Sequence, residues 1–232
     1  MKWFTRTIAV IALSTASVSL TTPVMASGVD ASTVARAQER LSTLGMPSLA
    51  ADGFVGDFTR NVLCAWREMH GRSPQRSDLT EQESADIVSA KSLPLPPDSM
   101  VTGYNVSRTC QVMFWVKATP YEPGRYFARV FRVSTGRDGY PTDSGLRQIT
   151  WARDDPRWNS TSYPSPNGYN MYRPIYIDGG EALHGTYEDS GVFPYPASHG
   201  CVRMSWADVD YLWAHGGTSP GIKVKVYGTW RG

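Results

Sequence analysis

Cysteine and histidine are scarce in this chain: three and four among 232 residues. None stands in a Cys-x-x-Cys or His-x-x-x-His spacing, so the sequence offers no metal site, and no cofactor is expected. Internal repeats and low-complexity tracts are lacking, which excludes solenoids and arrays. Charge of one sign is lacking too, since the formal net charge is only +2. Two of those positives, Lys2 and Arg6, stand in the N-terminal leader, and without them the remainder is neutral. Binding to nucleic acid therefore has no electrostatic support. No long hydrophobic run is present either: the apolar stretch from Ile8 to Leu13 falls far short of the ~20 residues a spanning helix needs.

What is there begins with that leader. Lys2 and Arg6, a short apolar core and the ending Val24-Met25-Ala26 read as a signal peptide over residues 1–26, cleaved after Ala26. With no cysteine at the cleavage site to carry a lipid, the expectation is an exported protein without a membrane anchor: periplasmic, wall-associated or extracellular.

The pattern then changes character near residue 93. Before it, Val34, Ala37, Leu41 and Leu44 fall at helical spacing behind the possible caps Ser32 and Thr33, ending at Gly45-Met46-Pro47. A second helix shows Phe58, Val62, Ala65, Trp66 and Met69 on one face. Thr80 with Glu83 makes a capping box for a third, after Leu79. Leu93-Pro94-Leu95-Pro96-Pro97-Asp98 reads as an extended, semi-rigid connector. Beyond it, Cys110, Val112, Phe114 and Val116 alternate with Gln111, Met113, Trp115 and Lys117, predicting a strand with one buried face. Residues 126–133 and 222–226 predict further strands. Residues 151–172, rich in Pro, Gly, Asn, Ser and aromatics, form a long aperiodic loop: a candidate lid, or a passive surface excursion. The fold class expected is multidomain, a small all-α three-helix module (residues 30–92), a proline-rich linker (93–100) and a mainly-β catalytic domain (101–230).

The chemistry concentrates in Ala197-Ser198-His199-Gly200-Cys201-Val202-Arg203, with Leu183-His184-Gly185 upstream. A thiol needs a base within reach or a field that favours the thiolate. His184, at the end of a strand-like run, is the better base, and the Gly185 carbonyl is free to orient its ring. His199 helps shape the turn, and its N–H with those of Gly200 and Cys201 could form an oxyanion hole. Cys201 is expected at or just before a helix start, where the helix dipole favours a thiolate. Cys64 and Cys110 are then available to each other; a bridge would fasten the two parts together, the alternative being two buried free thiols.

Two resemblances follow. Ala37-Gln38, Leu41, Leu44-Gly45, Asp52-Gly53-Phe54-Val55-Gly56, Thr59 and Val62 resemble the peptidoglycan-binding domain 1 family, from which Cys64-Ala65-Trp66 and Arg67 depart. That likeness implies a three-helix module and binding to glycan strands. His184 followed by Ser198-His199-Gly200-Cys201-Val202-Arg203, together with Ser134-Thr135-Gly136 and Thr142-Asp143-Ser144-Gly145, resembles the YkuD-type L,D-transpeptidase catalytic domain. This implies Cys201 as nucleophile with His184, and Arg203 as a substrate-positioning or site-ordering residue; Ser198 and Tyr172 are further candidates for substrate contact. It also implies acyl transfer from peptidoglycan stem tetrapeptides with release of D-Ala, giving 3→3 cross-links or, with water as acceptor, trimmed tripeptides. Carbapenem-type β-lactams are the covalent inhibitors it implies. The rival from another class is a wall-binding protein that keeps the domain only as a recognition surface.

Overall fold

The computed structural model describes residues 28–121, 124–177, 180–186 and 191–231; the expected signal peptide lies outside them. The elements fall into three layers. Helices α1 (Ala31–Thr43), α2 (Asp57–Met69) and α3 (Glu81–Ser89) form the first. A five-stranded sheet in the order β3-β2-β1-β9-β4 forms the second, from β1 (Gly103–Ser107), β2 (Val112–Ala118), β3 (Arg125–Arg132), β4 (Gly145–Gln148) and β9 (Lys223–Tyr227). A four-stranded sheet, β5 (Trp151–Ala152), β6 (Tyr172–Tyr176), β7 (Ala182–Gly185) and β8 (Val202–Met204), forms the third with helix α4 (Trp206–Ala214). β1 and β9 run parallel, as do β7 and β8; the other pairs are antiparallel. No described helix is long and apolar enough to cross a membrane.

Local chemistry sets the helix ends. α1 is capped by Asp30, whose carboxylate accepts from the Thr33 N–H, and not by Ser32 or Thr33. Those two hydroxyls instead donate to Asp30 at 2.6 and 2.7 Å, because a charged acceptor outcompetes a neutral one for the first-turn donors. The Thr80–Glu83 capping box is formed at α3, and Glu83 also takes both forks of the buried Arg67 guanidinium at 2.6 and 2.7 Å. Gln38 on α1 clamps the turn before α2, donating to Asp52 and the Phe54 carbonyl and accepting from the Gly53 N–H.

The alternation in β2 carries a different meaning from the one expected. Both of its faces are buried: Val112, Phe114 and Val116 join the core shared with α1, α2 and α3, whereas Met113 and Trp115 join the core between the two sheets. A period of two marks the faces of a strand but does not say that one of them meets water. Each fully buried side chain of this kind contributes about 1.5–3 kcal/mol. The helices are therefore packed along the sheet, with no solvent layer beneath Phe114.

Two further ties hold the layers. Cys64 on α2 is bonded to Cys110, with Cα atoms 5.4 Å apart. Cys110 lies in the β1–β2 turn and not within the strand, which starts at Val112. The proline-rich segment is clasped by Arg125, which donates to the carbonyls of Met100 and Pro96 and pairs with Asp98 at 3.1 Å.

Candidate active site

Cys201 sits in a loop that leads into β8, and α4 begins only at Trp206, behind its own cap Ser205. The expected helix start at the cysteine is thus absent, and the dipole of α4 does not act on the thiol. What holds the loop is a set of bonds to the upstream motifs. Ser134 and Arg203 exchange backbone hydrogen bonds at 3.0 and 2.9 Å, and the amides of Ala197 and Ser198 donate to the Thr135 carbonyl. Buried Thr142 donates to the Gly200 carbonyl at 2.7 Å and accepts from the Gly136 N–H at 2.9 Å. Gly200 has φ +113, a region closed to side chains, so the turn that presents Cys201 requires glycine.

Ser198 lines the cavity, but its hydroxyl is spent inside the loop. It donates to the Cys201 carbonyl at 2.5 Å and accepts from the Gly200 N–H at 3.1 Å. Ser198 therefore helps shape the turn, and the Gly200 amide, expected in the oxyanion hole, is already engaged. Among the described residues the amides of His199 and Cys201 have no acceptor.

Strand pairing aligns the rest. β7 and β8 run parallel with His184 opposite Arg203, and side chains two apart on a strand share a face. His184, Arg203 and Cys201 therefore point to one side, where all three line a cavity of about 670 Å³. His184 is 5% exposed, and its Nδ1 lies 2.8 Å from the Gly185 carbonyl. A carbonyl only accepts, so Nδ1 carries the proton and Nε2 keeps the lone pair a base needs. Gly185 leaves no room for a side chain, because a Cβ there would meet Trp206 at 2.7 Å and Tyr172 at 2.9 Å. Tyr172 does not line the cavity: it stacks on Trp206 at 4.5 Å and donates to Asp210 at 2.9 Å, buttressing the strand behind His184.

The electrostatics favour neutral partners at rest. Burial pushes the Cys201 thiol up to about 11, offset in part by the Ala182 N–H, while Glu181 adds to the rise and Arg203 opposes it. Burial pulls His184 down to about 4, against the opposing pull of its bond to Gly185, and Arg203 lowers it further. Burial thus favours the uncharged form of both groups, a thiol and a neutral imidazole lining one cavity. Arg203 makes no ion pair among the described residues, so its guanidinium faces the cavity without a carboxylate. His199 lines the same cavity: its Nε2 lies 2.7 Å from Arg137, its ring stacks on Tyr163 at 4.3 Å and meets Tyr140 edge-on at 5.0 Å.

Several contributors escaped the sequence reading. Glu181 lines the cavity with both oxygens occupied, by the Asp143 N–H at 2.9 Å and by Arg147 at 2.5 Å; burial raises it above the usual carboxylate range. Nothing in the spacing of Glu181 and Cys201 announces their proximity, which comes from β7 pairing with β8. Ser160, Ser162, Tyr163, Asn170 and Met171 bring the long loop of residues 151–172 to the cavity wall. No group of His, Cys, Asp and Glu among the described residues could hold a metal ion.

Residues 104–226 match the family model described as the YkuD L,D-transpeptidase catalytic domain. The chain belongs to this family. Its fold is similar to an L,D-transpeptidase from Xylanimonas cellulosilytica, with 27% identity and a TM-score of 0.56 over 87% of this chain and 96% of that one. An L,D-transpeptidase from Stackebrandtia nassauensis also matches, at 20% identity and a TM-score of 0.47 over 85% and 92% of the two chains. L,D-transpeptidase 3 from Mycobacterium tuberculosis, solved with a faropenem-derived adduct, matches at 21% identity and a TM-score of 0.41, over 54% of this chain and 59% of that one. No curated protein matches. Within the YkuD family assignment, the mainly-β catalytic domain preceded by helices is the architecture of this chain.

Proposed function

We propose that this YkuD-family protein is an exported cell-wall L,D-transpeptidase in which Cys201 carries the acyl group and His184 moves the proton. The observation that carries the reading is the convergence on one cavity of Cys201, His184 and Arg203, which makes no ion pair among the described residues. His184 takes the thiol proton at Nε2 as sulfur attacks the carbonyl of the third residue of a stem tetrapeptide. The oxyanion is met by the amides of Cys201 and His199, each donor being worth about 3 kcal/mol in comparable sites. The imidazolium then returns its proton to the departing nitrogen, D-Ala leaves, and a thioester remains. A side-chain amine on a second stem attacks that thioester, the proton returns to His184 and sulfur departs, giving a 3→3 cross-link.

Arg203 fits the recognition of a substrate carboxylate, since it has no carboxylate partner among the described residues and a guanidinium binds carboxylates bidentately. Acylation of Cys201 by carbapenems follows from the same chemistry, their strained lactam carbonyl standing in for the scissile amide. The helices α1–α3 are assigned here as a glycan-strand contact, supported by the Gln38 clamp on the Asp52–Phe54 turn, which gives the motif of the peptidoglycan-binding resemblance a structural purpose. Purified disaccharide-tetrapeptide, incubated with the enzyme and resolved by mass spectrometry, tests the assignment. D-Ala loss with dimer formation supports it, D-Ala loss alone makes the protein a carboxypeptidase, and an unchanged substrate removes both.

A further inference from the structure

One wall of the cavity is attached to the helices. Phe193 lines the cavity and stacks on Tyr195 at 5.2 Å, and the two rings are separated in sequence by Pro194. Pro196 follows, so two residues of this Phe-Pro-Tyr-Pro run have φ fixed and no N–H to donate. Such a segment is stiff, but it cannot anchor itself through its proline nitrogens. Its position depends on what its carbonyls and its remaining amides bind. The Tyr195 carbonyl accepts from Ser134 Oγ at 2.7 Å, and the Ala197 N–H donates to Thr135 at 2.9 Å, both on the catalytic side. The Pro194 carbonyl accepts from Asn61 Nδ2 at 3.0 Å, and Asn61 belongs to α2, 133 residues away.

Asn61 is itself held in place with unusual completeness for a helix side chain. It is 1% exposed, and its Oδ1 accepts from Arg76 Nε at 2.6 Å. Because a guanidinium only donates, this bond also fixes the amide orientation and turns Nδ2 toward Pro194. Arg76 is in turn held by Asp57 at 3.3 Å and lies over the Trp230 ring at 4.3 Å. A chain of bonds therefore runs from the start of α2 through Arg76 and Asn61 to the cavity wall.

We propose that Asn61 is a positioning residue for substrate binding: through Pro194 it sets the place of Phe193, so that the helical layer is part of the frame of the active site. The inference rests on the acyl-transfer reading of Cys201 and His184 for its kinetic consequence, but not for its structural one. Asn61→Asp is the sharpest variant, because it keeps an acceptor for Arg76 and replaces the donor to Pro194 with a carboxylate oxygen that repels its carbonyl. Asn61→Ala removes both and serves if the carboxylate is not tolerated.

Two measurements decide it. Amide exchange of Phe193, Tyr195 and Ala197 in the folded variants should speed up about tenfold, the order expected for loss of one buried hydrogen bond, while β2 amides stay protected. With disaccharide-tetrapeptide, KM should rise about tenfold with kcat within about twofold, because a displaced wall weakens binding more than it disturbs Cys201 and His184. A merely structural Asn61 would lower kcat and melting temperature without that split. Unchanged exchange at residues 193–197 overturns the proposal whether or not the wild-type enzyme uses the peptide. Faster exchange with unchanged KM overturns the substrate role of the wall, and wild-type inactivity alongside faster exchange tells against the acyl-transfer reading instead.

Discussion

The two faces of the five-stranded sheet handle their reactive and charged groups in opposite ways. On the helix face three such groups are spent on neighbours: Cys64 on Cys110, Arg67 on Glu83, and Glu68 on Tyr227. Burial raises the Glu68 carboxyl, against the opposing hydrogen bonds from Tyr227 and Ser107. Toward the second sheet, Cys201 is a free thiol, His184 keeps its Nε2 lone pair, and Arg203 has no carboxylate among the described residues. Buried groups left unsatisfied are costly, so a protein keeps them where they will meet a substrate. The contrast separates the part of this chain that holds shape from the part that does chemistry.

Removing the unspent groups is expected to have the largest effect. Cys201→Ala or His184→Ala should lower D-Ala release about 10⁴-fold or more, in line with loss of one member of a nucleophile–base unit. Circular dichroism should show both variants folded, since these side chains line a cavity; near-normal turnover in either would take that residue out of the mechanism.

The helix face should answer in stability. Arg67→Ala leaves Glu83 buried without its partner, and urea titration should show a loss of about 3–5 kcal/mol. Cys64→Ala with Cys110→Ala removes a bridge closing 46 residues, a loss of about 4 kcal/mol in the chain-entropy model. In both cases carbapenem acylation of Cys201 should survive below the new melting point; a collapse of that reactivity in a folded variant would mean the two faces are not separable.

A smaller effect links pH to the site. His184 has its folded value depressed from 6.5 to about 4, so the unfolded chain binds the proton more tightly. Its neutral burial costs nothing above pH 6.5, and stability is lost as pH falls from about 6.5 to about 4, by up to about 3 kcal/mol, with no further loss below that. His184→Gln should flatten that part of the stability–pH curve. The same depression keeps the base unprotonated in mild acid, so D-Ala release at pH 5.5 should stay close to its value at pH 7.

Much of this was legible beforehand because it is local or carried by a motif. The Thr80–Glu83 box, the strand at β9 and the Ser134-Thr135-Gly136 and Thr142 elements that brace the nucleophile loop all rest on short stretches of residues. What escaped depends on packing between distant segments. The second buried face of β2 exists only because the helices return to cover it, and Cys110 lies in a turn because Gln111 adopts φ +52 to receive Thr135. Glu181 reaches Cys201 through strand pairing, and Tyr172 is drawn off to Trp206 and Asp210 by the stacking that supports Gly185. A Ser-His-Gly-Cys run suggested a strand-to-helix elbow, whereas here a strand of three residues intervenes before α4.

On the proposed reading Cys201 is an acyl-accepting thiol made nucleophilic by proton transfer to His184 and not by a standing thiolate. Timed intact-protein mass spectrometry with a carbapenem, followed by peptide mapping, tests it most directly. One adduct is expected, on Cys201, absent in Cys201→Ala and formed at least about 10²-fold more slowly in His184→Ala. Acylation of the wild type at another residue, or at the same rate with His184 removed, would contradict it.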